Sequence, residues 1–362
     1  MWSKLKSNNL TIALLLRLTL LAMTVGGCGS SQKTPLKVLF AGSLMAPFAA
    51  LEQAYEAQHP EIDVQLEGHG SIQVVRHVAE IHDLVDVAAT ADYTLMPMLM
   101  YQSRVPETGQ PYADWTIKFA TNRLGLAYTP QSQHADEITT DNWYEVIARP
   151  GVKLGLSDPR LDASGYRTLM VFQLAESVYE KNTIFENLTM GRFKTPIRVK
   201  DEAGQAVIHV PEILQPKPDS GIVLRGSSIQ LIALLESGDI DYAFEYESVI
   251  QQHGFDMIPL PDSLNLGDEG NADFYEQVQV RLDFQRFTSV KPEFKGEVIG
   301  YGLTIPANAP HPEEAAEFID FLLGPEGQAL MVEHHHPLLT PCLVDQLGAL
   351  PDSLQSRCRP MP

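Results

Sequence analysis

Positive charge is scarce in this chain of 362 residues: 26 Lys+Arg stand against 46 Asp+Glu, for a formal net charge of −20. A nucleic-acid partner requires a basic face to neutralise phosphates, so that class is excluded. On electrostatics alone, the same balance argues against a small anionic ligand. Cysteine is almost missing, with Cys28, Cys342 and Cys358 only, and the sixteen-residue spacing of the last two suits no zinc motif. Enzyme signatures are missing as well: there is no Gly-x-Ser-x-Gly elbow, no P-loop and no His-Glu-x-x-His. Gly68-His69-Gly70 begins like a dinucleotide fingerprint but lacks the later glycine. His334-His335-His336 cannot converge on one ion from regular structure, and a solvated turn is expected there. No stretch after residue 27 is long and apolar enough to span a membrane.

What is present is a globular composition, 44% hydrophobic and 20% charged, too apolar for disorder. The length gives room for about two domains of roughly 150 residues. Residues 1–27 carry Lys4, Lys6 and Arg17, no acid, and a Leu-rich run ending in Val25-Gly26-Gly27-Cys28. A basic start, a short apolar run and small residues make an export signal. The small-small-Cys ending resembles a lipobox, with Cys28 lipidated at the new N-terminus; an ordinary signal with an incidental cysteine is the alternative. Residues 28–35 are then a polar tether, and removal of 1–27 with its three cations takes the charge to −23. Outside the cytoplasm a Cys342–Cys358 disulfide is expected, worth ~3 kcal/mol in the chain-entropy view.

Along the mature chain, strands and helices alternate. LKVLFA (36–41) reads as a strand, followed by Gly42-Ser43 and a helix with Phe48, Leu51 and Tyr55 on one face. Ile62, Val64 and Leu66 alternate as a second strand, Gly68 to Ser71 turn, and Ile72, Val75 and Ala79 line a second helix. Residues 86–90 form a third strand running into Ala91-Asp92-Tyr93. This alternation predicts an α/β fold with a parallel, doubly wound sheet. Residues 117–128 read as a strand pair leading into a second α/β block, with strands at 153–157, 240–246 and 298–305 and helices opening at Gly165, at 229 and at Pro312. Residues 182–222, holding Pro196, Pro211, Pro216 and Pro218, read as an irregular excursion.

The informative pattern is Gly-Ser placed twice where a strand ends and a helix begins. Such a serine offers a hydroxyl and a backbone N–H, and the neighbouring helix-start N–H groups lack intrahelical partners. Ser43 and Ser71 would meet at one crevice of the sheet and form an oxyanion site without a cation. Alternatively, each serine merely caps its own helix.

These residues carry a resemblance. Ala41-Gly42-Ser43-Leu44 with Pro47-Phe48, then Gly70-Ser71-Ile72, Ala91-Asp92-Tyr93, Asp162-Ala163-Ser164-Gly165-Tyr166-Arg167 and LLESGDIDYAFEY (234–246) are similar, in order from about 36 to 340, to the archaeal-type tungstate/molybdate-binding proteins of ABC transporters. The resemblance implies a two-lobed, type II periplasmic-binding-protein α/β fold, with 36–120 and 300–345 in lobe 1, 121–299 in lobe 2, and 346–362 as a C-terminal tail. It implies an anion in the interlobe cleft, bound by Gly42, Ser43 and Ser71 from the first lobe and by Asp162, Ala163, Ser164 and Tyr246 from the second. It further implies no cofactor and no catalysis, a membrane permease and its ATPase as partners, and a monomer. Tyr246 could instead pack at the hinge, and Asp162 could instead cap its helix. Arg167 is expected to be a structural partner of a carboxylate, and Glu245 and Glu247 to be strand-face residues.

One position departs from the pattern. Eighteen residues before the tyrosine the family carries a Glu that completes an octahedral metal coordination, and here Ser228 stands there. A tetrahedral oxyanion held by hydrogen bonds is therefore expected, with Ser228 as a further donor. Donor-only sites suit tungstate, molybdate or sulfate, whereas a buried carboxylate accepts a proton from hydrogen phosphate. If Asp162 points into the cleft, phosphate becomes a serious rival. Other classes left open are an exported enzyme on this scaffold, using His69 beside Ser71, and a sensory or adhesive module.

Overall fold

The computed structural model describes residues 33–285 and 291–362, so the expected export signal and Cys28 lie outside the described residues. Sixteen strands among those residues form three sheets. The largest has seven strands, in the order β16 (Cys358–Pro360), β15 (Leu338–Val344), β4 (Ile117–Thr121), β14 (Gly300–Thr304), β3 (Val87–Thr90), β1 (Thr34–Ala41) and β2 (Ile62–His69). Residues 38–41 of β1 and all of β3 and β14 are buried, as expected of strands covered on both faces. Helix α1 (Met45–Gln58) turns Phe48, Leu51 and Tyr55 inward, and α2 (Ser71–Ala79) turns Ile72, Val75 and Val78 inward.

The second sheet runs β11 (Asp256–Pro259), β5 (Leu124–Tyr128), β10 (Tyr242–Tyr246), β6 (Leu154–Ser157) and β9 (Ile222–Arg225). It carries α3 (Ala163–Val178), α4 (Ile229–Ser237) and α5 (Glu247–His253). The third runs β13 (Glu293–Lys295), β12 (Val278–Leu282), β8 (Gln205–Val210) and β7 (Arg198–Glu202). It packs on α3, where the rings of Tyr166 and Phe294 stack with centroids 4.0 Å apart.

Several expectations change. The sheets are mixed rather than parallel: β1 runs parallel to β3, but β14 is antiparallel to β3 and β4, and β5 is antiparallel to β10. The segment 117–128 does hold two strands, but they do not pair with each other. β4 and β5 lie in different sheets, and Asn122-Arg123 carries the chain across, with the return between β13 and β14. Residues 182–222 are not irregular, since they hold a helix (Ile184–Thr189), the β7–β8 hairpin and the first residue of β9. Its prolines fall in the connections, where the missing N–H costs nothing. The hairpin turn is Ala203-Gly204, both at positive φ (58° and 88°), which matches strand twist. The expected tail is also ordered, because β16 pairs in parallel with β15 at the sheet edge.

Candidate functional site

Helix starts that follow β1, β2, β6 and β9, together with the end of β10, meet in one enclosed region. Gly42 and Ser43 lie in a single 3₁₀ turn between β1 and α1. Ser71 is the first residue of α2, Asp162 precedes α3, Ser228 precedes α4, and Tyr246 ends β10. Every one of these side chains is at most 4% exposed.

Neither serine of the Gly-Ser pairs caps its own helix. The Ser71 hydroxyl accepts the Ala91 N–H at 3.0 Å, which leaves its own hydrogen free to donate. Ser43 Oγ lies 2.8 Å from the Tyr301 hydroxyl, a group missed in the sequence because β14 offered only an apolar pattern. Asn122 Nδ2 donates to that same hydroxyl at 3.3 Å, so the crossing segment touches the site.

Asp162 resolves the alternatives left open for it. It makes no side-chain bond capping α3. Instead its carboxylate accepts the Ser71 N–H at 3.3 Å on Oδ1 and the Ser228 N–H at 2.8 Å on Oδ2. Two helix-start amides, one packed on each main sheet, thus grip one buried carboxyl group. Burial pushes the Asp162 carboxyl up, opposed by the N–H groups of Ser228, Ser71 and Ala163 and by the Arg167 charge. Beside it, the N–H groups of Ile72 and Gln73 donate to the Leu161 carbonyl at 3.1 and 3.3 Å. A Cβ on Gly70 would stand 2.5 Å from that carbonyl and 2.8 Å from the Gly226 carbonyl. Glycine is required there by space, since its φ of −68° is open to any residue.

Glu245 is a strand residue of β10, as expected, and its face is an interior one. It is fully buried, and its Oε1 accepts the Ser228 hydroxyl at 3.0 Å and the Tyr246 N–H at 2.7 Å. Ser228 therefore bridges two carboxyls, its N–H on Asp162 and its O–H on Glu245. Burial pushes Glu245 up to about 8, with the Tyr246 N–H and the Ser228 hydroxyl opposing and Asp162 adding to the rise. Its Oε2 and the Ser164 hydroxyl are buried without a hydrogen-bond partner, uncommon for interior polar atoms. Strand alternation alone does not distinguish a buried Glu from an exposed one, so its burial was not legible in the sequence. Glu247 opens α5 and pairs with Arg123 at 2.6 Å.

Arg167 is a structural partner of a carboxylate. Its guanidinium reaches the Ala91 carbonyl at 2.6 Å, the Tyr246 hydroxyl at 2.7 Å and Asp92 Oδ2 at 3.7 Å. The Tyr166 hydroxyl donates to that same Asp92 oxygen at 2.5 Å. Tyr246 also packs edge-on against Tyr301, with centroids 5.8 Å apart, so it serves packing and polar contact together.

Two histidine readings are settled. His69 does not face Ser71: its Nε2 lies 2.7 Å from Glu67 and its ring stacks on His77. The 334–336 run is not wholly solvated, because His336 is fully buried edge-on against Tyr301, and burial depresses it to about 3. Cys342 and Cys358 are register partners on β15 and β16 with Sγ atoms 2.7 Å apart.

A seven-stranded and a five-stranded mixed sheet, with the helix starts of both closing on one cleft, define the two-lobed fold of type II periplasmic binding proteins. The family of bacterial extracellular solute-binding proteins matches residues 36–335, and this chain belongs to it. It is 40% identical over 328 residues to a solute-binding protein of Methanoculleus marisnigri, covering 90% of this chain and 87% of that one. It is 38% identical over 358 residues to the molybdate/tungstate-binding protein WtpA of Thermococcus kodakarensis, covering 94% and 95%. The periplasmic molybdate-binding protein of Azotobacter vinelandii shares the fold, with a TM-score of 0.53 at 17% identity, over 84% of this chain and all of that one.

Proposed function

We propose that this chain is the extracytoplasmic binding component of an ABC importer and that it captures a tetrahedral oxyanion of the tungstate/molybdate type between its lobes. One observation carries the reading: the Ser71 and Ser228 amides, from helices on the two main sheets, converge on a single carboxylate in an enclosed cleft. An incoming oxyanion takes over these two donors by displacing the Asp162 carboxylate, while the helix starts that carry them stay in place. The Ser71 hydroxyl, the Ser43 hydroxyl and the unpartnered Ser164 hydroxyl add donors, while Gly42, Ala163 and Tyr246 line the same place. The 38% identity to a molybdate/tungstate-binding protein supports the choice of anion. Ser228 gives no carboxylate to a metal centre, so coordination stays tetrahedral; six oxygens around the metal in a ligand-bound crystal structure overturn that part. The role is binding without turnover, and His69 turning to Glu67 rather than Ser71 supports it. A permease with its ATPase, a lipid on Cys28 and a monomeric state complete the reading.

Asp162 favours a second reading. Its carboxylate makes no capping bond to its own helix and lies among the helix starts of the proposed site, where it can accept the proton of hydrogen phosphate. Calorimetry of the purified protein against tungstate, molybdate, sulfate and phosphate separates the two. Tight one-to-one binding of tungstate and molybdate, with phosphate weaker, is expected. Phosphate binding most tightly, and losing that preference in Asp162→Asn, establishes the second reading. Silence with all four anions removes both.

A further inference from the structure

Away from the cleft, Glu67 and His69 at the end of β2 face His77 in the last turn of α2. Residues two apart on a strand share a face, and α2 lays its histidine over that face. One ligating atom from each of the three lies within 4.8 Å of the other two. Glu67 Oε1 is 2.7 Å from His69 Nε2, and the imidazoles of His69 and His77 lie with centroids 4.5 Å apart at 27°. His77 Nδ1 is held by Asp83 Oδ2 at 2.7 Å, the carboxylate–imidazole arrangement that fixes the tautomer of a metal-bound histidine and directs Nε2 to the ion. Glu67 gives its other oxygen to Lys37 Nζ at 3.3 Å, which leaves one oxygen for an ion. β2 is the edge strand of its sheet, and the His69 and His77 side chains keep 21% and 24% exposure, so solvent can enter.

We infer that Glu67, His69 and His77 form a binding site for a borderline divalent cation of the zinc class, backed by Asp83 and completed by water. Two imidazoles and one carboxylate with a position open to solvent are a donor set for Zn²⁺ rather than for Mg²⁺ or Ca²⁺, which take oxygen ligands. Bonds of about 2.0–2.1 Å bring tetrahedral donor atoms to about 3.3 Å of one another, within reach of side-chain rotation from their present spacing. The ion would tie the end of β2 to α2, on either side of Gly70-Ser71. The inference does not rest on the oxyanion reading.

The test is a titration of the untagged full chain, stripped by chelator, with ZnCl₂ in chloride buffer free of oxyanions, by calorimetry and by competition with a chromophoric zinc chelator. One ion per chain is expected, weakened at least about tenfold in His69→Ala and His77→Ala and about 10-fold in Asp83→Asn, with His335→Ala unchanged. No saturable uptake, or equal affinity in the parent and both histidine variants, overturns the site. X-ray absorption on the zinc-loaded parent decides independently of how any variant folds: imidazole scattering with mixed N/O ligation is expected, and its absence overturns the assignment.

Discussion

At the residue scale, the cleft is set by what a few positions omit and what a few bury. Gly70 is flanked by carbonyls of Leu161 and Gly226, so a single methyl keeps the lobes apart. Gly70→Ala is expected to cost about 1–3 kcal/mol of closure, the range for overpacking, seen in calorimetry as roughly a ten- to hundredfold loss of anion affinity with the fold intact by circular dichroism. Glu245, at about 8, is largely protonated at neutral pH, so it presents a neutral acid to a dianion. Anion affinity is therefore expected to fall as pH rises through about 8, and Glu245→Gln to flatten that fall. Stability follows the same sign. A carboxyl raised above its unfolded value binds more protons when folded, so its contribution is full below the unfolded value and is lost as pH rises through the folded one. Melting curves between pH 5 and about 9 check this: a melting temperature that drops toward alkaline pH in the parent and less in Glu245→Gln is the expected pair. Ser228→Glu is expected to reorder the anions by restoring a carboxylate, and an unchanged ranking in the calorimetric panel would remove Ser228 from the determinants.

At the element scale, the strand–Gly-Ser–helix units were legible because they are local. Apolar alternation marks a strand, glycine and serine mark its end, and a 3.6-residue apolar period marks the helix, so α4 and α6 (Pro312–Leu323) fall at the expected residues. The mixed direction of the sheets was not legible, because parallel and antiparallel pairing depend on which strands become neighbours rather than on any one strand's residues. The same holds for the 117–128 pair and for the hairpin inside 182–222. In the latter, proline density masked strands whose ladders avoid the prolines. Cys342 and Cys358 were paired by redox argument, and the parallel register of β15 and β16 sets their Sγ atoms 2.7 Å apart. The exported protein is expected to carry that disulfide. Mass spectrometry after alkylation should find both thiols blocked, and reduction should lower the melting temperature by an amount corresponding to about 2–4 kcal/mol; full alkylation without reductant would contradict it.

At the scale of the whole molecule, the charge of −20 sets the approach of an anion and the cleft sets its capture. The long-range field repels a dianion, and salt screens that field within about 10 Å at 0.1 M. The association rate for tungstate in stopped-flow is accordingly expected to rise with added NaCl while the dissociation rate changes little; a rate that falls with salt would mean local steering by a basic rim. The two sheets are joined at 122–123 and between β13 and β14, and these links are the expected hinge of closure. For the proposed lipid on Cys28, Cys28→Ser is expected to abolish incorporation of labelled fatty acid.

The sequence by itself determined the strand–helix units outside 182–222, the helix-start serines and the resemblance that named Asp162 and Tyr246, because each depends on neighbours within a few residues. It also gives the acidic balance that argues against a nucleic-acid partner, since composition fixes net charge. Only the tertiary structure decided where carboxylates go. Asp162 could cap its own helix or reach across the cleft, and Glu245 could face solvent or interior. Both were settled by the amides and hydroxyl of residues 17 to 91 positions away, Ser228 and Ser71, which pack against them once the sheets come together. Burial, which pushes both carboxyls up, is a property of that packing and not of either residue.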